Sequence, residues 1–120
     1  MSDNNRIGVI DIGSNSVKLL VLDGEETLHR DSVVTRLGTG ITETGSLADD
    51  SVAATIERLS EIRAILDAHD VVNVHAVATA AVRSANNAAP FVTAAANALG
   101  CEITVIDGDF TAQKIGRAHV

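Results

Sequence analysis

Asp11-Ile-Gly13-Ser14-Asn15-Ser16 is the string in this chain best suited to phosphate chemistry. A phosphate held by a loop needs several backbone N–H groups converging on its oxygens. Glycine lets the main chain come close because no Cβ stands in the way. Ser14, Asn15 and Ser16 can add side-chain donors. Asp11 cannot bind phosphate itself, but a single carboxylate can hold a hydrated Mg²⁺, which keeps several of its waters. Taken alone, the same string is equally an ordinary hairpin turn with a capped aspartate, since Gly, Ser and Asn are common turn residues.

The neighbouring sequence must position this string. Ile7 to Ile10 is a short apolar run that ends at Asp11 and suits a buried strand. Val17 to Leu22 is a second, β-branched-rich run, followed by the hairpin signal Asp23-Gly24. Thr27 to Thr35 supplies a third strand. Arg36 to Leu47, with Gly38, Gly40 and Gly45, reads as a loop in which the glycines serve flexibility. Asp49, Asp50 and Ser51 are candidate N-caps for a helix whose apolar residues, Val52, Ile56, Leu59, Ile62 and Leu66, recur at helical spacing. Val71 to Ala78 is apolar and β-branched, a fourth strand. Ala80 to Asn87 reads as a turn of helix and a loop. Pro90 then opens a helix at its first position, Gly100 closes it, and Glu102 to Ile106 is the last strand. The fold class is therefore α/β, in the order β-β-β-α-β-α-β.

Composition narrows the ligand. The chain has 120 residues, 46% of them hydrophobic, enough for one domain with a modest core. Its net charge of −7 and 2% aromatic content argue against nucleic acid, which calls for clustered cations and stacking surfaces. Neither argues against a phosphate held by amides and a metal. One cysteine, Cys101, allows no internal disulfide and suits a reducing cytoplasm. It opens a strand without a cationic neighbour and reads as a small core residue. No apolar stretch approaches the roughly 20 residues of a membrane span, and the first six residues lack signal-peptide character.

Four stretches together carry a resemblance. Asp11 to Ser16, Arg36-Leu-Gly-Thr-Gly40, Val77-Ala-Thr-Ala-Ala-Val-Arg83 with Asn87, and Val105-Ile-Asp-Gly108 follow the order and spacing of the exopolyphosphatase/guanosine pentaphosphate phosphohydrolase (Ppx/GppA) family. The likeness runs from about Arg6 to Gln113. It implies an RNase H-like, actin-like ATPase lobe with a mixed five-stranded sheet, in the acetate/sugar kinase–chaperone–actin superfamily. It also implies hydrolysis of the terminal phosphoanhydride of inorganic polyphosphate or guanosine pentaphosphate with Mg²⁺. Gly13, Ser14, Asn15 and Ser16 would bind phosphate and Asp11 the metal. Arg83 matches a phosphate-contacting arginine, a role that suits a guanidinium fork. Thr79 and Asn87 would shape the loop presenting it.

The resemblance also marks a departure. The family's catalytic glutamate, in a stretch like Gly-x-Glu-Glu-Ala, falls on Thr111 within Gly108-Asp-Phe-Thr-Ala112. A threonine hydroxyl is too weakly acidic to serve as general base near neutral pH. Asp109, two residues earlier, could substitute only if the loop shifts. An error in the sequence, an inactive relative and a displaced base remain alternatives. Ile115 to Val120 fits no element and resembles read-through of a sequencing adapter, so residues 1–114 are expected to be a truncated N-terminal lobe and 115–120 a non-native tail. The parent would be cytoplasmic, could be a homodimer, and would carry a second lobe with another phosphate loop. On this reading the fragment binds polyphosphate weakly and hydrolyses it negligibly. An ATP-dependent kinase lobe of the same superfamily and a non-catalytic nucleotide-binding module are the alternative functions. His29, His69 and His75 lie at no recognisable metal spacing, and Asp49, Asp50, Glu57 and Glu61 read as a helix cap and solvated face.

Overall fold

The computed structural model describes residues 5–79, 82 and 84–106, with Thr42 described in its backbone alone. Two hairpins open the chain, joining β1 (Arg6–Ile12), β2 (Ser16–Asp23) and β3 (Glu26–Val34). A single helical turn, α1 (Ile41–Thr44), precedes the long α2 (Asp49–Ala68). Then come β4 (Asn73–Ala78), α3 (Ala88–Leu99) and β5 (Ile103–Val105). The strands form one mixed sheet in the order β3-β2-β1-β4-β5. Pairing is antiparallel across β1, β2 and β3, and parallel across β1, β4 and β5. The expected class, strand order along the chain and five-stranded sheet are all present.

Strand alternation assigns the two faces. Ile10 and Ile12 of β1 are fully buried together with Val17, Leu19 and Val21 of β2 and Leu59, Ile62 and Leu66 of α2. Gly8 belongs to the same face, and a Cβ there would stand 2.6 Å from Leu66 Cδ2, so α2 crosses this strand at glycine. From α3, Phe91, Ala95 and Leu99 complete the core. Ile7, Val9, Lys18 and Leu20 alternate with these residues and lie on the opposite face. Among the described residues no helix is long and apolar enough to cross a membrane.

Three local expectations are corrected. None of Asp49, Asp50 and Ser51 is the N-cap of α2. Ala48 is, without a side-chain cap, and Asp49 and Asp50 sit in the first turn where the helix dipole favours negative charge. Pro90 is the third residue of α3 rather than the first; it is tolerated because first-turn amides have no acceptor within the helix. Part of the Arg36–Leu47 loop is helical, since left-handed Gly40 (φ 79°) and Gly45 (φ 74°) bracket α1. The residues 107–120, and with them the proposed tail, lie outside the described residues.

The buried charge on α2 is a finding that apolar spacing did not reveal. Arg58 is 5% exposed and donates to Asp31 on β3, with Glu61 3.5 Å away. His29 approaches the other oxygen of Asp31 at 2.8 Å. This cluster clips the outer strand to the helix. Removing Asp31 leaves a nearly buried guanidinium without its main partner, so Asp31→Ala should lower the unfolding free energy by about 1–3 kcal/mol. Asp67→Ala, which breaks the exposed pair with Arg63, should cost no more than about 0.5 kcal/mol. Urea denaturation of both variants checks this, and equal losses would refute burial as the cause.

Candidate functional site

Three residues, Gly13, Ser14 and Asn15, bridge the end of β1 to the start of β2. Gly13 N–H donates to the Ser16 carbonyl at 3.0 Å, which leaves that amide unavailable to a ligand. A Cβ on Gly13 would sit 3.2 Å from the same oxygen, so glycine keeps the bend tight. Ser14 and Asn15 are exposed. Their carbonyls are taken by the segment after β3: Thr35 N–H and Arg36 N–H both donate to Asn15 O at 3.0 Å, and Gly38 N–H to Ser14 O at 2.8 Å. Arg36 reaches this position with a left-handed backbone, φ 55°. Such a conformation costs an ordinary residue of order 1 kcal/mol, and it falls between the two amides that hold Asn15 O and the Gly38 amide that holds Ser14 O.

Fixing the carbonyls also aims the amides. In a planar trans peptide the C=O and the following N–H point to opposite sides. With Ser14 O tied down to Gly38, Asn15 N–H faces away from the strap. Among the described residues, neither Ser14 N–H nor Asn15 N–H has a backbone acceptor. The bend is therefore open, with two donors unspent.

Asp11 stands one residue before the end of β1, directly across from Lys18 on β2 and beside Val77 on β4. Its Oδ1 is buried and lacks a hydrogen-bond partner among the described residues. Burial raises its pKa above the ordinary carboxylate value, and the positive charge of Lys18 offsets part of the rise. A buried, unpartnered carboxylate oxygen fits a cation better than it fits a structural cap. A lone carboxylate suits an ion content with one protein ligand and several waters.

The sheet gathers the other segments at the same edge. Ile12, Ala78 and Val105 lie in one row of the parallel strands, with their carboxyl ends together. Thr79 N–H continues the row by donating to Ile12 O at 3.2 Å, and Ile106 N–H to Ala78 O at 2.9 Å. The chain thus leaves β1, β4 and β5 on one side, the usual place for a ligand in α/β sheets. Asn87 secures the return of the second segment: it accepts from Leu47 N–H at 2.8 Å and donates to Leu47 O at 3.1 Å. Asn86 N–H adds a bond to Gly45 O at 2.7 Å. The Thr35–Leu47 strap is consequently pinned at both ends.

Comparison with known proteins decides what this arrangement belongs to. The pattern of the Ppx/GppA phosphatase family matches residues 21–118. The chain belongs to the Ppx/GppA phosphatase family. It is 34% identical over 106 residues to exopolyphosphatase 2 of Mycobacterium tuberculosis, covering 82% of this chain and 33% of that protein. It is 35% identical over 116 residues to a guanosine-5'-triphosphate,3'-diphosphate pyrophosphatase of Vibrio cholerae, covering 92% of this chain and 23% of that protein. The crystal structure of the Aquifex aeolicus Ppx/GppA family member superposes with a TM-score of 0.79 at 38% identity, over 85% of this chain and 35% of that one. The chain thus spans about a third or less of the length of these relatives. The Ppx/GppA fold, an actin-like, RNase H-like lobe, is the one seen here.

Of the residues expected to act in this Ppx/GppA lobe, Asp11, Gly13, Ser14, Asn15 and Ser16 are together on one hairpin. Arg83, Asp109 and Thr111 lie outside the described residues. Lys18 was not singled out in the sequence, although a lysine seven residues after Asp11 faces it once the hairpin register is known. Cys101 does have a cation near it, Arg63 of α2, which no sequence neighbour signals. Burial nevertheless dominates and pushes the thiol up, which disfavours the thiolate. His29 is engaged with Asp31, and His69 Nδ1 lies 3.0 Å from Ile65 O, so neither is arranged for a metal.

Because the native pKa of Asp11 exceeds its unfolded value, the native state holds that proton more tightly. The stability this brings is complete below the ordinary value of 3.8 and disappears as pH rises through the raised native value. Above that window the ionised group carries a desolvation cost, so Asp11→Asn should melt higher than the parent at neutral pH without metal. In acid the difference should vanish. Thermal melts across pH check the sign. Separately, Asn87→Ala should speed hydrogen exchange at Leu47 and cost about 1–2 kcal/mol, because it strips the partners from both backbone polar groups of that residue.

Proposed function

We propose that this chain forms the phosphate-binding lobe of an enzyme that hydrolyses the terminal phosphoanhydride of inorganic polyphosphate or guanosine pentaphosphate. One observation carries the reading: an open bend with unspent amides at Ser14 and Asn15 stands beside the buried, unpartnered oxygen of Asp11. Donors for phosphate oxygens and a carboxylate for a cation are what such a substrate requires. The names of the mycobacterial and Vibrio relatives support the two substrates.

In this reading Asp11 would hold Mg²⁺, whose charge would offset the negative phosphoryl oxygens. Ser14 and Asn15 amides orient the phosphate, and the hydroxyls of Ser14 and Ser16 with the Asn15 carboxamide add donors. Gly13 acts by its missing side chain rather than by its amide. Arg83 supplies a guanidinium to the same phosphate, its segment leaving β4 at the edge where the bend lies. The general base comes from the segment after β5, at Asp109 or from a neighbouring position, since Thr111 cannot accept a proton from water near neutral pH. The remaining two thirds of the relatives' length correspond to the facing lobe with a second phosphate loop. The setting is a reducing cytoplasm, consistent with one unbridged cysteine.

Isothermal titration of the chain with tripolyphosphate tests the assignment. Weak binding that strengthens with Mg²⁺ is expected, and Asp11→Asn should remove the Mg²⁺ dependence while far-UV circular dichroism stays unchanged. Phosphate release by this chain alone should be negligible. Identical Mg²⁺-dependent heats for the parent and Asp11→Asn would refute the role of Asp11.

A further inference from the structure

Backbone hydrogen bonds run in series from the segment after β4 to the bend. Asn86 N–H donates to Gly45 O at 2.7 Å, and Gly45 N–H to Ile41 O at 2.7 Å. Ile41 N–H then donates to Gly38 O at 3.2 Å, and Gly38 N–H to Ser14 O at 2.8 Å. Every link points the same way, so the bonds polarise one another along the series. Two reversals of the strap make this path possible. Gly40 and Gly45 take left-handed backbone on either side of α1, and a Cβ on Gly45 would stand 2.9 Å from Asn86 Nδ2.

Apolar packing alone does not set this geometry. Leu37 and Leu47 of the strap are buried and fix where it lies. Burial is non-directional, however, and leaves peptide planes free to rotate. Asn87 supplies direction. Its carboxamide accepts from Leu47 N–H and donates to Leu47 O, a fork that holds both polar groups of one residue. Leu47 held in this way keeps Gly45 O, two residues back, aimed at Asn86 N–H. Fastening one loop to another requires no bonds beyond Leu47. Here they continue to the carbonyl whose orientation decides where Asn15 N–H points.

We propose that Asn87 is a positioning residue for phosphate at the bend, acting through this series of bonds on the Ser14–Asn15 peptide. The proposal rests on the phosphate-binding role of the bend and adds what controls it. That peptide has two arrangements. With Ser14 O on Gly38 N–H, Asn15 N–H faces the ligand; rotated, the carbonyl faces it and repels phosphate. The series holds the first arrangement, and loosening its far end populates the second. Apparent affinity falls with the competent fraction.

Asn87→Ala in the 120-residue chain tests this by titration with tripolyphosphate and Mg²⁺, at a temperature where every variant is fully folded. Affinity should fall about three- to tenfold, the range expected of a position that modulates coupling without touching ligand. Gly45→Ala breaks the series at another link and should lower affinity by a similar factor. Asn87→Asp keeps an acceptor for Leu47 N–H and loses the donor, so its loss should be intermediate. Asp31→Ala is the control: it breaks the clip to Arg58, outside the series, and should bind as the parent does. The Gly38 amide should exchange with solvent faster in Asn87→Ala than in Asp31→Ala. Parental affinity in Asn87→Ala, or an equal loss in Asp31→Ala, would overturn the positioning role, while binding by the parent would leave the bend in place. Failure of the parent to bind tripolyphosphate would overturn both.

Discussion

The candidate site depends on where the carbonyl oxygens of Ser14 and Asn15 go. Three amides of the Thr35–Gly38 strap take them, and peptide planarity then turns the amide of Asn15 outward. A bend whose carbonyls were left loose would present oxygens as readily as N–H groups to an approaching phosphate, and a row of oxygens repels it. The left-handed backbone at Arg36 lies within this fastening, between the amides that take Asn15 O and the one that takes Ser14 O. Strain at Arg36 is thus offset by hydrogen bonds that fix the polarity of the bend.

The same strap links the bend to the rest of the edge. From Gly38 it runs through α1 to Gly45 and Leu47, where Asn86 and Asn87 hold it. Two segments that leave neighbouring parallel strands are thereby braced against a common frame. Beneath them the sheet is rigid by construction: Gly8 admits α2 close to β1, and Arg58 clips α2 to β3 through Asp31. Tertiary order at the edge follows from packing far below it.

The electrostatics work in the same direction. Asp11 is buried enough to resist ionisation, which disfavours the isolated apo site and favours a cation that relieves it. Lys18 moderates the cost. The local deficit of negative partners on the outer face of β2 and β3 contrasts with the acidic chain as a whole. On the proposed reading of Asp11 as a cation ligand, stability and affinity pull against each other there.

Much of this was legible in the chain itself. Strand runs bounded by Asp23-Gly24, the helical spacing from Val52 to Leu66 and the Asp11–Ser16 string follow from local chemistry, because hydrophobic period and turn residues act over a few positions. The class, the element order and the family resemblance came from these. Register, burial and partner choice did not. Nothing local says that Arg58 is buried against Asp31, that Lys18 faces Asp11, that Asn87 spends its carboxamide on Leu47 instead of capping α3, or that Gly13 has no amide to offer. Each depends on residues far apart in sequence being brought to one place, and hydrogen bonds and ion pairs are decided by distance in space. The sequence determined which groups could bind a phosphate; only the folded sheet determined which of them are left free to do so.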